Sequence, residues 1–192
     1  MDTKQKGFSE KVKNEIVGLI KGAGDIVNAT VSSVSGVVTN TIKNVGNIGT
    51  SVMETTSDVV RGAIQGVKEV GGDFGAAAKG IVLGVIRGIG QVGTQTLDTI
   101  ASAAGSVVKN TAEVLGDAGS AAKGAVEGAI EGAKEIGLNV EEAASAAATG
   151  AVKAAYEISS EVGTKVQKAV TGTISGVKVV VKEPFKSEKK VA

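Results

Sequence analysis

Ala78-Lys79-Gly80-Ile81-Val82-Leu83-Gly84-Val85-Ile86-Arg87-Gly88-Ile89 is followed 44 residues later by Ala122-Lys123-Gly124-Ala125-Val126-Glu127-Gly128-Ala129-Ile130-Glu131-Gly132-Ala133. In both stretches glycine returns every fourth residue and the apolar residues return at spacings of three and four. That is the period of a helix rather than the alternation of a strand. Wound as a helix, the first stretch makes four rows. Lys79, Leu83 and Arg87 form the mostly polar one, and Gly80, Gly84 and Gly88 lie beside it. Ile81, Val85 and Ile89, then Ala78, Val82 and Ile86, fill the rest. Apolar and glycine positions cover well over half of the circumference, more than the stripe of an ordinary surface helix. A glycine row at i, i+4 and i+8 lets another backbone come close. Gly80, Gly84, Gly88, Gly124, Gly128 and Gly132 are therefore the expected close-packing row.

The same shift of 44 runs through most of the chain. Val38, Val82, Val126 and Val170 form one column, and Ile42, Ile86, Ile130 and Ile174 another. These eight residues are the expected apolar interface. A third column is always acidic: Asp25, Glu69, Glu113 and Glu157. Gly18 and Gly22 map to Gly62 and Gly66, Gly18 reappears as Gly150, and the glycine rows are kept in part by Gly172 and Gly176. The resulting division is a polar lead-in over 1–15, repeats over 16–59, 60–103, 104–147 and 148–183, and a Lys-rich tail over 184–192. Forty-four is four elevens, and eleven residues in three turns give a straight or slightly right-handed helical assembly. The expected fold is all-α, built from long amphipathic helices folded once or twice. Stop signals followed by N-cap residues recur about every 22 residues, at Gly71-Gly72-Asp73, Gly93-Thr94, Gly116-Asp117 and Gly137-Leu138-Asn139. Asn139 with Glu142 reads as a capping pair. Each segment between them would be about 33 Å long. Glycine weakens an isolated helix by about 1 kcal/mol relative to alanine, so helicity is expected to depend on a partner surface. Near the end, Val177 to Lys182 has strand-like residues, and Pro184 ends regular structure.

Composition narrows the function classes. The 192 residues include 28 Gly, no Trp, one Tyr and three Phe, so close approach replaces the burial of large side chains. With no Cys and no His, a disulfide framework, a thiolate nucleophile and a His-containing metal site are all excluded. Glu127 and Glu131 share a helix face with Lys123 and read as a solvated face rather than a catalytic acid–base pair, which needs a desolvated pocket. Gly88-Ile89-Gly90-Gln91-Val92-Gly93 fits G-x-G-x-x-G, yet no clear strand precedes it and no βαβ alternation surrounds it. Neither an enzyme nor a cofactor or metal site is expected. The net charge of +1 argues against nucleic acid as the main partner. Residues 104–147 carry three Lys against seven acidic residues, a net of −4, whereas 148–192 carry eight Lys against four Glu, a net of +4. The third unit of one chain could thus pair with the fourth of another. The longest uncharged stretch, Ile26 to Ile42, is too short and too polar for a membrane span. The beginning lacks the apolar run of a secretory signal. The expected location is cytoplasmic, free or peripheral to a membrane or lipid droplet. Tyr156, next to the acidic column, is expected to anchor a packing or lipid interface.

The eleven-residue pattern in Gly36-Val-Val-Thr-Asn-Thr-Ile-Lys-Asn-Val-Gly46 and Gly124-Ala-Val-Glu-Gly-Ala-Ile-Glu-Gly-Ala-Lys134 resembles the repeats of synucleins and perilipins. Its punctuation at two elevens is similar to that of exchangeable apolipoproteins. The resemblance covers about residues 16–183, lacks the synuclein Lys-Thr-Lys-Glu-Gly-Val core and has sparser flanking Lys. It implies binding to a lipid surface or self-association, without catalysis. Three readings follow. One is a scaffold that self-associates as a homo-oligomer and binds a membrane or lipid droplet by burying its Val/Ile ridge. Another is a subunit of a purely protein bundle, stalk or filament within a larger complex. The third is a stress protectant like the late-embryogenesis proteins, which requires disorder in dilute buffer; the mean hydropathy of +0.19 opposes it.

Overall fold

A computed structural model describes residues 3–45, 50–93 and 97–182. Among them the chain is all-α apart from one short hairpin. The helices are α1 (Thr3–Ala23), α2 (Ile26–Val45), α3 (Thr50–Glu69), α4 (Phe74–Gln91), α5 (Leu97–Glu113), α6 (Ala118–Ile136), α7 (Val140–Ile158) and α8 (Ser160–Val170). Strands β1 (Gly172–Ile174) and β2 (Val177–Val179) follow and pair antiparallel, with Thr173 opposite Lys178.

Local chemistry sets the breaks. Asp73 opens α4 by accepting the Ala76 N–H at 2.8 Å, and Asp117 opens α6 by accepting the N–H groups of Gly119 and Ser120 at 2.8 and 3.1 Å. Asn139 accepts from Glu142 N–H at 3.1 Å to open α7, and Ser159 accepts from Val162 N–H at 3.2 Å to open α8. These bonds satisfy amide groups that a helix start leaves orphaned. Helices close just as locally. Gly71 and Gly137 adopt φ of +67° and +73°, while the Gly72 and Leu138 N–H groups reach back to the carbonyls of Val67 and Ala133 at 2.9 Å. The chain therefore turns between successive helices at the described breaks, more often than the one or two folds expected. Residues 94–96, which include the expected break at Thr94, lie outside the described residues.

Two further differences from the sequence reading concern the ends. Residues 3–15, read as a polar lead-in, are the first turns of α1, and within that helix Val12 and Ile16 are buried. Helix ends at Val170, so Ile174, expected on a helical ridge, lies instead in β1. Gly172, Ser175 and Gly176 all have positive φ (112°, 49° and 81°), which a helix does not accommodate, and the β-branched run Val177-Lys-Val-Val-Val181 suits a strand.

Helices pack mainly with the next but one. α1, α3, α5 and α7 lie side by side in one layer, and α2, α4 and α6 in the other, with α8 against α6 and α7. Neighbours within a layer are parallel: Gly80, Gly84 and Gly88 of α4 advance past Thr30, Val34 and Val38 of α2 in the same direction. The molecule is thus a stack of helix pairs with a thin core of Ala, Val and Ile between the layers.

Candidate functional site

The glycine rows lie where parallel helices touch. A Cβ on Gly80 would overlap the Thr30 side chain, and one on Gly84 would stand 2.9 Å from the Val31 carbonyl oxygen. On Gly88 it would stand 2.8 Å from Val38 Cβ. One unit on, Cβ atoms on Gly124 and Gly128 would overlap the carbonyl oxygens of Gly75 and Lys79, and one on Gly132 would stand 2.9 Å from Ile86 Cβ. All six close-packing residues thus bring α4 against α2 and α6 against α4, within one chain. The apolar column is buried in the same place. Val38, Val82, Ile86, Val126, Ile130 and Val170 are buried, Val38 against Gly88 and Ile86 against Gly132. Ile174 is buried from β1. Ile42 belongs to α2, and its side chain lies outside the described residues.

The other layer repeats the device at positions that no sequence argument had assigned to a site. A Cβ on Gly62 of α3 would overlap the Ser9 carbonyl oxygen of α1, one on Gly66 would stand 3.0 Å from the Lys13 carbonyl oxygen, and one on Gly150 of α7 would overlap the Ala101 carbonyl oxygen of α5. Their signal was the column that joins Gly18, Gly62 and Gly150. Where that column carries Ser106, the hydroxyl bonds Ser57 of α3 at 3.1 Å.

Polar groups reinforce the steps. Arg87 donates two hydrogen bonds to the Glu135 carboxylate, at 2.6 and 2.7 Å, and Lys79 pairs with Glu131 at 2.8 Å, both linking α4 to α6. The Arg87 hydrogen bond holds the Glu135 carboxyl below its ordinary range. Lys13 of α1 pairs with Glu69 of α3 at 3.3 Å. Lys165 of α8 reaches Asp117 at 3.1 Å, so one contact between the acidic third unit and the basic fourth is made inside the chain. The Asp117 carboxyl is lowered first by the Ser120 backbone N–H and next by Lys165. Burial pushes the Asp58 carboxyl up despite Arg61 at 3.5 Å.

The G-x-G-x-x-G stretch runs through the C-terminal end of α4, whereas phosphate binding uses a helix N-terminus. Glu131 is tied to Lys79. Tyr156 lays its ring on Gly163 and donates its hydroxyl hydrogen to Gln167 at 2.8 Å, fastening α7 to α8. Among the described residues no group of acidic side chains is placed to hold a metal ion, and no helix is long and apolar enough to cross a membrane. Comparison with protein-family models and with curated protein sequences finds no match to this chain.

Proposed function

We propose that the chain is a non-catalytic helical scaffold, a structural subunit that acts by docking to other protein surfaces. One observation carries this reading: the glycine row expected to seek a partner surface meets neighbouring helices of the same chain at backbone distance, and the described members of the apolar column are buried within that chain. The support that glycine-rich helices require is thereby supplied internally. Among the described residues, most exposed side chains are charged or small and polar. Binding to a lipid surface would require Val82, Ile86 and Val126, all fully buried, to leave the core first.

Far-UV circular dichroism in dilute buffer and with anionic liposomes tests the proposal. Strong helicity in buffer, unchanged by lipid, is the expected result. Weak helicity that liposomes restore would overturn it in favour of a lipid-surface protein. Ile86→Asp with Ile130→Asp adds a second arm. The scaffold reading expects this variant to lose helix in buffer, because it places two charges in the core.

A further inference from the structure

Between α1 and α2 lies a cavity of about 220 Å³, lined among others by Lys11, Val12 and Glu15 of α1 and by Ser32, Ser33 and Asn40 of α2. Its polar walls lack partners. Lys11, Glu15, Ser32 and Asn40 are exposed, and among the described residues none of them makes a side-chain hydrogen bond or an ion pair. Lys13, two residues from Lys11, is by contrast tied to Glu10 and Glu69. Charges that face each other across neighbouring helices elsewhere are joined, as Lys79 is to Glu131 and Arg87 to Glu135.

Exposure accounts for the charges but not for Ser33, which is 2% exposed and whose hydroxyl has no hydrogen-bond partner in the chain. Buried hydroxyls are normally satisfied. Inside a helix the carbonyl four residues back can serve, as the Ile26 carbonyl does for Thr30 at 2.8 Å. Ser33 makes no such bond. Nor does packing call for a hydroxyl there. Ala77 and Ala121 hold the same place in the next two units, and both are fully buried. Alanine meets the steric need at this position, and the first unit alone adds an oxygen, beside a cavity.

We infer that this cavity binds a small free amino acid. The site goes beyond the scaffold reading and does not depend on it. Lys11 takes the ligand's carboxylate and Glu15 its ammonium group. A lone anion would face Glu15 and a lone cation would face Lys11, so the two charges together select a zwitterion. The Ser33 hydroxyl bonds the ligand at the buried wall, which satisfies the oxygen that the chain leaves orphaned. Val12, 1% exposed, receives an aliphatic portion. Size narrows the class further. The cavity of about 220 Å³ equals roughly seven water molecules at about 30 Å³ each. That is below the ~300 Å³ at which drug-sized sites begin.

Amide chemical-shift titration of the full chain with each of the common free amino acids tests the site, with acetate and methylammonium as the separated charges. Saturable shifts confined to α1 and α2 are expected for at least one amino acid, and the separated charges should bind about tenfold more weakly or less. Lys11→Gln and Glu15→Gln should each raise the dissociation constant about tenfold or more with helicity unchanged. Ser33→Ala should weaken binding too, yet raise the thermal midpoint of the free protein, because it removes an unsatisfied hydroxyl from a helix. A lower midpoint would make Ser33 a structural residue and overturn the site. No saturable shift with any amino acid overturns it, and so does binding indifferent to the three substitutions. None of these results touches the scaffold reading, which stands or falls on helicity in buffer and with liposomes.

Discussion

Alanine at Gly124 and alanine at Gly36 should act in opposite directions, although the two glycines share a column of the repeat. At Gly124 the new methyl group would overlap the Gly75 carbonyl, and overpacking of this kind costs about 1–3 kcal/mol. At Gly36 it would meet nothing, so the helix gains roughly 0.5–1 kcal/mol. Urea unfolding of the two variants gives the comparison, and shifts of the same sign would contradict the packing described. Leu115 offers a second test. Val70-Gly71-Gly72-Asp73 and Val114-Leu115-Gly116-Asp117 occupy the same places in successive units, and both second residues adopt positive φ, +67° and +62°. Leucine bears there a left-handed penalty of about 1–2 kcal/mol, and its side chain is 94% exposed. Glycine's greater freedom in the unfolded chain takes back about 0.4–1 kcal/mol. Leu115→Gly should therefore stabilise the protein by roughly 0.5 kcal/mol; a lower urea midpoint would refute the strain. Nothing within the chain accounts for leucine at this position.

Helix starts follow local rules, and their chemistry predicts a pH response. Asp117→Ala removes an N-cap and should cost about 1 kcal/mol at neutral pH. The Asp117 and Glu135 carboxyls both titrate below their ordinary values in the folded chain. Their contribution is complete above the unfolded values near pH 4 and disappears as pH falls through the lowered folded ones. Asp58, raised by burial, acts in the opposite sense: its contribution exists below its unfolded value and is lost as pH rises through the folded one. The Asp117 contribution is missing from Asp117→Ala, so stability should decline less steeply below about pH 4 in that variant than in the parent. Thermal unfolding at pH 3 and 7 reads this, and an identical decline in both proteins would contradict it. Half-exposed side chains keep the effect small. The caps at Asp73, Asp117 and Asn139 were legible in the sequence because a cap involves three neighbouring residues. The register of the layers was not. A shift of 44 identifies equivalent residues, whereas touching residues such as Gly80 and Thr30, or Gly128 and Lys79, stand 50 and 49 apart. That difference comes from how ridges interlock between helices. Identity at 44 also carried Gly172, Ile174 and Gly176 into helical columns, although the chain beyond Val170 has become a hairpin.

At the scale of the molecule, the glycine rows were legible as contact surfaces, but a repeat cannot say whether the next unit belongs to the same chain or to another. The stacked arrangement makes every contact a near-neighbour one, so stability should vary along the stack rather than be shared evenly. α4 is held by α2 on one side and α6 on the other, whereas, among the described residues, α1 has α3 as its single layer neighbour. Native-state hydrogen exchange should find the slowest amides in α4 and α6 and the fastest helical amides in α1; uniform protection would count against a stack that opens from its end. The interior has a thermal consequence as well. A core of Ala, Val, Ile and Gly with no Trp hides little hydrocarbon per residue, and exposure of hydrocarbon is what gives unfolding its heat capacity. The protein's stability should therefore trace a broad, shallow arc with temperature. Its helix pairs would hold together over a wide span of temperatures without being very stable at any one of them.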